Sequence, residues 1–477
     1  MTLSTVRLGT ADGELARALA QVRVDLEITA EFPPSVLVEA EEAVATVTLP
    51  EPDLLDVPFF TIDPATSMDL DQAMHLQRDG EGYVVRYAIA DVPAYVKPGG
   101  AIDGEARKRG QTFYPPDGRI PLHPPVISEH GASLLPNEVR GAYVWTFDLD
   151  TEARVTQTRL VLAKIRSTAR YDYDEVQSLI DTGKAPESFA LLKEIGVKLI
   201  ERERERGGAS LGRPDQEINE TEGRYTIDRR QPNEAEGWNA QISLMTGMAA
   251  AQIMLDGKVG ILRTMPPPSE DSVASFRRSA GALGAPWPVG QPYGEYLRTL
   301  DAAKSHELAI MHAAASLFRG AGYTAFDGTV PEQVIQSAVA APYAHATAPL
   351  RRLVDRFVLV VCEALANSRE VPEWARQALP DLPAIMAASD NLAGRLNSET
   401  MNRVEAAVLH SRVGETFSAT VLRESNGGGQ IQLDDPAVTA GCDGELIAGD
   451  RVDATLVSAD ISTGTVRFRA ASPRGKG

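Results

Sequence analysis

Cysteine is scarce in this 477-residue chain: there are two, Cys362 and Cys442, far apart in sequence. Neither has a second cysteine or a histidine at zinc spacing. A disulfide scaffold and a structural zinc site are therefore not expected, and a reducing, cytoplasmic setting fits. Long apolar runs are missing as well. The most apolar one, Phe357 to Cys362, is far too short to span a bilayer, so no membrane partner is expected. No basic stretch leads into an apolar run at the N-terminus, and no signal peptide is expected. Positive charge is in deficit: 47 Lys+Arg against 66 Asp+Glu leave a formal net charge of −19. Such a chain repels a polyanion at long range, so nucleic-acid binding would need a locally basic groove and a bound cation. There is no internal repeat and no extended low-complexity region. Apolar residues, at 43%, are enough for a sizeable core, and the length predicts one large and one or two small domains.

The expected fold class is α+β. Residues 1–50 read as a helical segment. Leu15, Ala18, Leu19 and Val22 fall near helical spacing between Asp12 and Val24, with Asp12 as a cap, and Pro33-Pro34 open a second helix through Val44. Residues 51–368 read as a mixed α/β domain. Strands are expected at Val84–Ala90, Tyr143–Leu149 and Thr158–Ile165. Helices are expected at Asp172–Leu179, from Phe189 into the charged run Glu201–Arg206, at Trp238–Leu255, from Ser269, and at Tyr296–Arg319, with a loop at Gly320–Pro331. Residues 369–412 read as a helical connector containing Trp374–Leu379 and Asn391–Ser411. Residues 413–472 hold five short strand candidates: Phe417–Leu422, Gln430–Leu433, Leu446-Ile447, Arg451–Ser458 and Thr465–Arg469. That pattern suits a small barrel of the OB type. Its aromatic residues are Phe417 and Phe468 alone, so base stacking on it should be poor.

Two stretches carry chemistry. The first is FFTIDPATSMDLDQAMHLQ, Phe59 to Gln77. Phe59, Phe60 and Ile62 suit a buried strand, which breaks at Asp63-Pro64 because the residue before a proline is pushed out of helical geometry. A loop with Asp69 and Asp71 follows, then a hairpin through Ile89. Asp63, Asp69 and Asp71 would cluster at the strand end. A like-charged pair at ~4 Å costs about 4 kcal/mol at an effective dielectric of 20, and a divalent cation removes that cost. Oxygen donors suit Mg²⁺ or Mn²⁺. The alternative is an acidic loop that stays in solvent. The second stretch is YAHATAPLRRLVD, Tyr343 to Asp355. Thr347 can cap a helix with Pro349, Arg351 and Arg352 in its first turn. Cations there oppose the helix dipole by ~0.3–1 kcal/mol each, so an anion seated on the helix start would explain them. Two surface arginines, one bonded to Asp355, are the alternative. His345 can hydrogen-bond within this loop. Together the two clusters describe phosphoryl chemistry, and Tyr114, in the turn Phe113–Gly118, offers a ring for a terminal base or simply for packing.

These motifs resemble the ribonuclease II family of RNB-type exoribonucleases. TIDPATSMDLDQA is similar to its metal motif, and YAHATAPLRRLVD to its arginine signature. AIADVPAYV at Ala88–Val96, RGQTFYPPDGRIPLHP at Arg109–Pro124, SLLPNEVR at Ser133–Arg140, YDYDEVQSLI at Tyr171–Ile180 and, more loosely, GILRTMPPP at Gly260–Pro268 extend the likeness. The resemblance implies hydrolysis of single-stranded RNA from the 3′ end with Mg²⁺ (Mn²⁺ as an alternative), releasing nucleoside 5′-monophosphates, by a monomer. It implies that Asp63, Asp69 and Asp71, with Gln72 beside them, hold metal and activate water. It implies that Arg351 stabilises the transition state, that Arg352, His345 and Arg263 contact RNA, and that Tyr114 stacks on the terminal nucleotide. The chain departs from the family at Gln72, where a second consecutive aspartate is usual, and at Ala348, Leu353 and Val259. The cold-shock-type barrels of many relatives have no counterpart in this sequence. An RNA-binding protein with a decayed nuclease centre is therefore the competing expectation.

Overall fold

The computed structural model describes residues 13–221, 224–436 and 438–471; Asp12, the expected cap, lies outside the described residues. The centre of the molecule is a closed barrel of five strands in sequence order: β1 Phe59–Ile62, β2 Gln72–Asp79, β3 Gly82–Ala90, β4 Val139–Leu149 and β5 Val155–Tyr171. Neighbours pair antiparallel, except that β1 and β5 close the barrel in parallel with Ile62 opposite Tyr171. Gly80 makes the β2–β3 turn at φ +58°, a conformation that glycine adopts without strain.

Both faces of β3 and β4 are largely buried. Tyr83, Val85, Tyr87 and Ile89 of β3 enter the main core with Tyr143, Trp145 and Phe147 of β4. Residues of the other parity, Ala88, Ala90, Ala142 and Val144, enter a second core. Two buried faces give nearly continuous apolar runs, which show that strands exist without showing that they close.

Helices cover this barrel. α1 Glu14–Asp25, α2 Pro34–Thr46 and α3 Ala101–Arg109 lie early in the chain. After β5 come α4 Tyr173–Asp181 and α5 Glu187–Glu205, the hairpin β6 Asp215–Thr221 and β7 Arg224–Arg230, and the long α6 Glu234–Gly257. Asn233 and Glu236 close a reciprocal cap on α6, each side chain bonding the other's backbone amide. β8 Val259–Thr264, α7 Glu270–Ala282, α8 Tyr293–Arg298, α9 Ser305–Ala313 and β9 Gly322–Asp327 follow, then the short pair β10 Ile335–Gln336 and β11 Ala341–Pro342. α10 Leu353–Ala366, α11 Glu373–Ala378 and α12 Leu382–His410 lead to a second closed barrel: β12 Thr416–Ser425, β13 Gly428–Leu433, β14 Thr439–Asp443, β15 Arg451–Asp460 and β16 Thr465–Ala470. Parallel pairing of β14 with β16 completes that five-stranded barrel, as an OB fold requires.

Four expectations need correction. Tyr296–Arg319 is not one helix: it breaks between Arg298 and Ser305, where Leu300 amide bonds turn the chain back on Leu297. The expected loop Gly320–Pro331 contains β9, paired to β8. The third strand of the small barrel is Thr439–Asp443, whose Thr-Ala-Gly-Cys-Asp sequence gives little apolar signal; Ile447 is exposed. The arginine pair does not lie in the first turn of a helix: both amides close an isolated turn on the Ala348 carbonyl, at 3.2 and 2.9 Å. Arg352 is extended (φ −134°, ψ 127°), and α10 starts at Leu353. The segment is claimed instead by Gly110–Thr112: the Thr112 amide donates to the Arg351 carbonyl at 2.9 Å, and the Leu353 amide to the Gly110 carbonyl at 2.9 Å.

Candidate active site

Three segments meet at the end of β1. The loop after β1 brings Asp63, Asp69 and Asp71. The start of β2 brings Gln72. The segment before α10 brings Arg351. Asp71 is 2% exposed. Its Oδ1 accepts the Leu350 amide at 2.7 Å, and its Oδ2 stands 3.4 Å from Arg351 Nε. The Asp71 carboxylate therefore fixes both the backbone and the side chain of the arginine segment. Complete burial pushes the Asp71 carboxyl well above the usual carboxylate range, against Arg351 and the Leu350 amide. The Asp63 carboxyl is pushed up to about 7, mainly by burial, with Arg351 opposing and Asp69 adding to the shift. Asp69 is engaged at both oxygens: Arg119 Nη1 lies 2.6 Å from its Oδ1, and the Tyr114 hydroxyl makes a long 3.5 Å contact with its Oδ2.

Arg351 and Arg352 have opposite surroundings. The Arg351 side chain is 47% exposed, anchored by Asp71 at one edge and open at the other. Arg352 makes a two-point pair with Asp355 at 2.9 and 3.0 Å, and Asp355 is fully buried. Asp355 also accepts the Ala348 amide at 2.7 Å, so Arg352 braces the turn that presents Arg351. The expected pairing to Asp355 thus falls to Arg352. The Thr347 hydroxyl caps no helix; it shares a hydrogen bond with Ser243 at 2.8 Å.

Gln72 is committed at both ends of its amide. Its Nε2 donates to the Thr347 carbonyl at 2.6 Å, and its Oε1 accepts the Tyr87 hydroxyl at 2.7 Å. It ties the barrel to the arginine segment. His345 and Arg263 sit together behind that segment. His345 Nδ1 and the Tyr323 hydroxyl are 2.7 Å apart, Arg263 lies 4.5 Å from the Tyr323 ring centroid, and Arg263 pairs with Asp390 at 3.1 Å. Burial holds His345 well below its ordinary value, so it is neutral.

Sequence reasoning missed several residues here. Arg119 was legible only as one arginine of the Arg109–Pro124 motif. Tyr87, from β3, and Tyr173, at the start of α4, stand close enough to Asp63 for its charge to raise both phenols, after burial. Asn239 of α6 donates to the Tyr173 hydroxyl at 2.9 Å. Nothing local in the sequence marks these partners, because the barrel and α6 assemble them from distant segments.

Residues 52–367 match the RNB domain family. The chain belongs to the RNB family. Residues 415–471 match the C-terminal S1 domain of RNase II-type exonucleases. Ribonuclease R of Chlamydia trachomatis is 29% identical over 408 residues, covering 83% of this chain and 57% of that protein. Ribonuclease R of Escherichia coli is 26% identical over 412 residues, covering 80% of this chain and 50% of that protein. The chain thus spans about half the length of the curated relatives it matches. Among solved structures, the apo form of Mycoplasma genitalium RNase R superposes with a TM-score of 0.86 at 20% identity, over 97% of this chain and 79% of that one. Yeast Ssd1, described as a pseudonuclease, superposes with a TM-score of 0.71 at 16% identity, over 94% and 58%. Both likenesses concern the fold.

The resemblance implies a divalent cation for this RNB chain, and the donors fit one in chemistry. They are oxygens of carboxylates, and Asp63 Oδ2 is a buried atom without a partner among the described residues. As the side chains stand, no three acidic, histidine or cysteine groups among the described residues converge on one point. Guanidinium groups occupy the Asp69 and Asp71 arms of the cluster.

Proposed function

We propose that this chain is a metal-dependent, hydrolytic 3′-to-5′ exoribonuclease that takes single-stranded RNA and releases nucleoside 5′-monophosphates. The observation that carries this reading is the buried Asp71, which steers a half-exposed Arg351 beside Asp63, a carboxyl that feels the charges of both Arg351 and Asp69. Mycoplasma genitalium RNase R, which has this fold, has been solved with ribose-methylated single-stranded RNA. Asp63, Asp69 and Asp71 would hold Mg²⁺ or Mn²⁺, which supplies charge neutralisation at the scissile phosphate and an activated water. Arg351 offers its open edge to a phosphate oxygen as charge develops there. Tyr114 stands beside Asp69 and offers its ring to the terminal base. Arg352 keeps Arg351 in place through Asp355, and the pair of Arg263 and His345 supports the same segment from behind. The test is product identity: RNA labelled at its 3′-terminal nucleotide should yield labelled nucleoside 5′-monophosphate first. A labelled 3′-phosphate product, or a labelled internal fragment, would sink the assignment.

A second reading is favoured by Gln72. An uncharged residue, bonded at both ends, stands where the family usually has an aspartate. An RNA-binding protein with an impaired centre follows if the native chain binds RNA without shortening it.

A further inference from the structure

Arg119 forks between two carboxylates. Nη1 lies 2.6 Å from Asp69 Oδ1, and Nη2 bonds Glu129. Its side chain is 25% exposed and that of Asp69 10%, so the pair is only partly screened by water. The loop that carries it is fixed. Phe113 and Ile120 exchange both backbone hydrogen bonds at 2.9 Å, Arg23 of α1 pairs with Asp117 at 2.6 Å, and Val22 of α1 packs in one apolar cluster with Phe113 and Ile120. The backbone can stay where it is while the Arg119 side chain changes partner. A guanidinium and a divalent cation cannot both occupy Asp69 Oδ1, because like charges at contact repel by several kcal/mol.

We propose that Arg119 is a resident counter-cation: it holds the Asp69 arm of the carboxylate cluster until a divalent ion takes it, and then rests on Glu129. It is a positioning residue, acting through Asp69. Glu129 makes the exchange local, since the displaced guanidinium keeps one of its two partners. The proposal rests on the reading of the cluster as a cation site.

The test is a calorimetric titration of Mn²⁺ into RNA-free protein, comparing the native chain with Arg119→Gln, Arg119→Lys, Glu129→Gln and Arg170→Gln. Arg170 is the control for charge without an ion pair, because its charge acts on Asp63 through space while its guanidinium bonds the Ala65 carbonyl. Arg119→Gln should tighten Mn²⁺ about tenfold, within the 5–150-fold typical of coupled sites. Arg119→Lys should tighten it less, since the charge remains but the fork is lost. Glu129→Gln should weaken it, because Arg119 then has Asp69 alone. Thermal melting in chelator reports that each variant is folded. Equal Mn²⁺ affinity in the native chain and Arg119→Gln, or a gain no larger than that of Arg170→Gln, overturns the proposal while leaving the cation site standing. Failure of every protein to bind Mn²⁺ overturns the cation site itself and the proposal with it.

Discussion

Asp71 carries two duties on two oxygens: it is an anchor for the Leu350 amide and the steering group for Arg351. Asparagine preserves the acceptor and removes the charge. Asp71→Asn should therefore keep the fold and RNA binding while hydrolysis falls by about 10²–10³-fold or more; single-turnover rates beside filter binding check both halves. Gln72 makes the opposite case. The sequence shows a missing charge there, and the structure shows a strut between Thr347 and Tyr87. Gln72→Asp removes the only donor to the Thr347 carbonyl that this side chain offers. It should destabilise the protein by roughly 1–3 kcal/mol in urea melts, with no gain in rate. A faster variant would instead favour the impaired-centre reading. At this scale the sequence exposes residue types well. It exposes partners poorly, because Arg119, Gln72 and Tyr87 are defined by what lies across a tertiary contact.

Elements explain why the site is where it is. β1 and the hairpin after it were legible, from the apolar run that ends at Asp63-Pro64 and the hairpin pattern that follows through Ile89. The barrel closure was not, because parallel pairing of β1 with β5 joins residues about a hundred positions apart. The break at Arg352 was hidden for a related reason: Gly110–Thr112, far upstream, takes the Arg351 carbonyl and the Leu353 amide. α1 was legible as a helix but its role was not. It braces the loop of Tyr114 and Arg119. Val22→Ala should cost about 0.5–3 kcal/mol and raise KM for RNA more than it lowers kcat, as steady-state kinetics on a short single strand will show. α12 supplies a pH-dependent contact to the second barrel. Burial pushes the Glu405 carboxyl up to about 7, with the Thr439 amide opposing. A carboxyl raised above its ordinary 4.5 contributes stability that is complete below that pH and is lost as pH rises through about 7. Glu405→Gln should thus gain thermal stability relative to the native chain between pH 5 and pH 8, read from paired melting curves; a difference constant with pH would contradict this.

On the scale of the whole molecule, a chain of net charge −19 keeps one edge of a guanidinium open beside its cluster of acids. Arg351 is half exposed beside the acids, whereas Arg352, Arg119 and Arg263 are all engaged by carboxylates. On the proposed function, long-range attraction to RNA would therefore be weak, and recognition would depend on the cluster with a cation. The second barrel, joined through α12, would then add surface for the strand with few aromatic rings to stack on. The measurement that bears most directly on this account is a time course on 5′-labelled single-stranded RNA with Mg²⁺, Mn²⁺ or chelator, the native chain beside Asp71→Asn. The account predicts stepwise shortening from the 3′ end that needs a divalent ion and Asp71. Shortening that persists in chelator or in Asp71→Asn would contradict it, as would RNA that stays bound and intact with either ion.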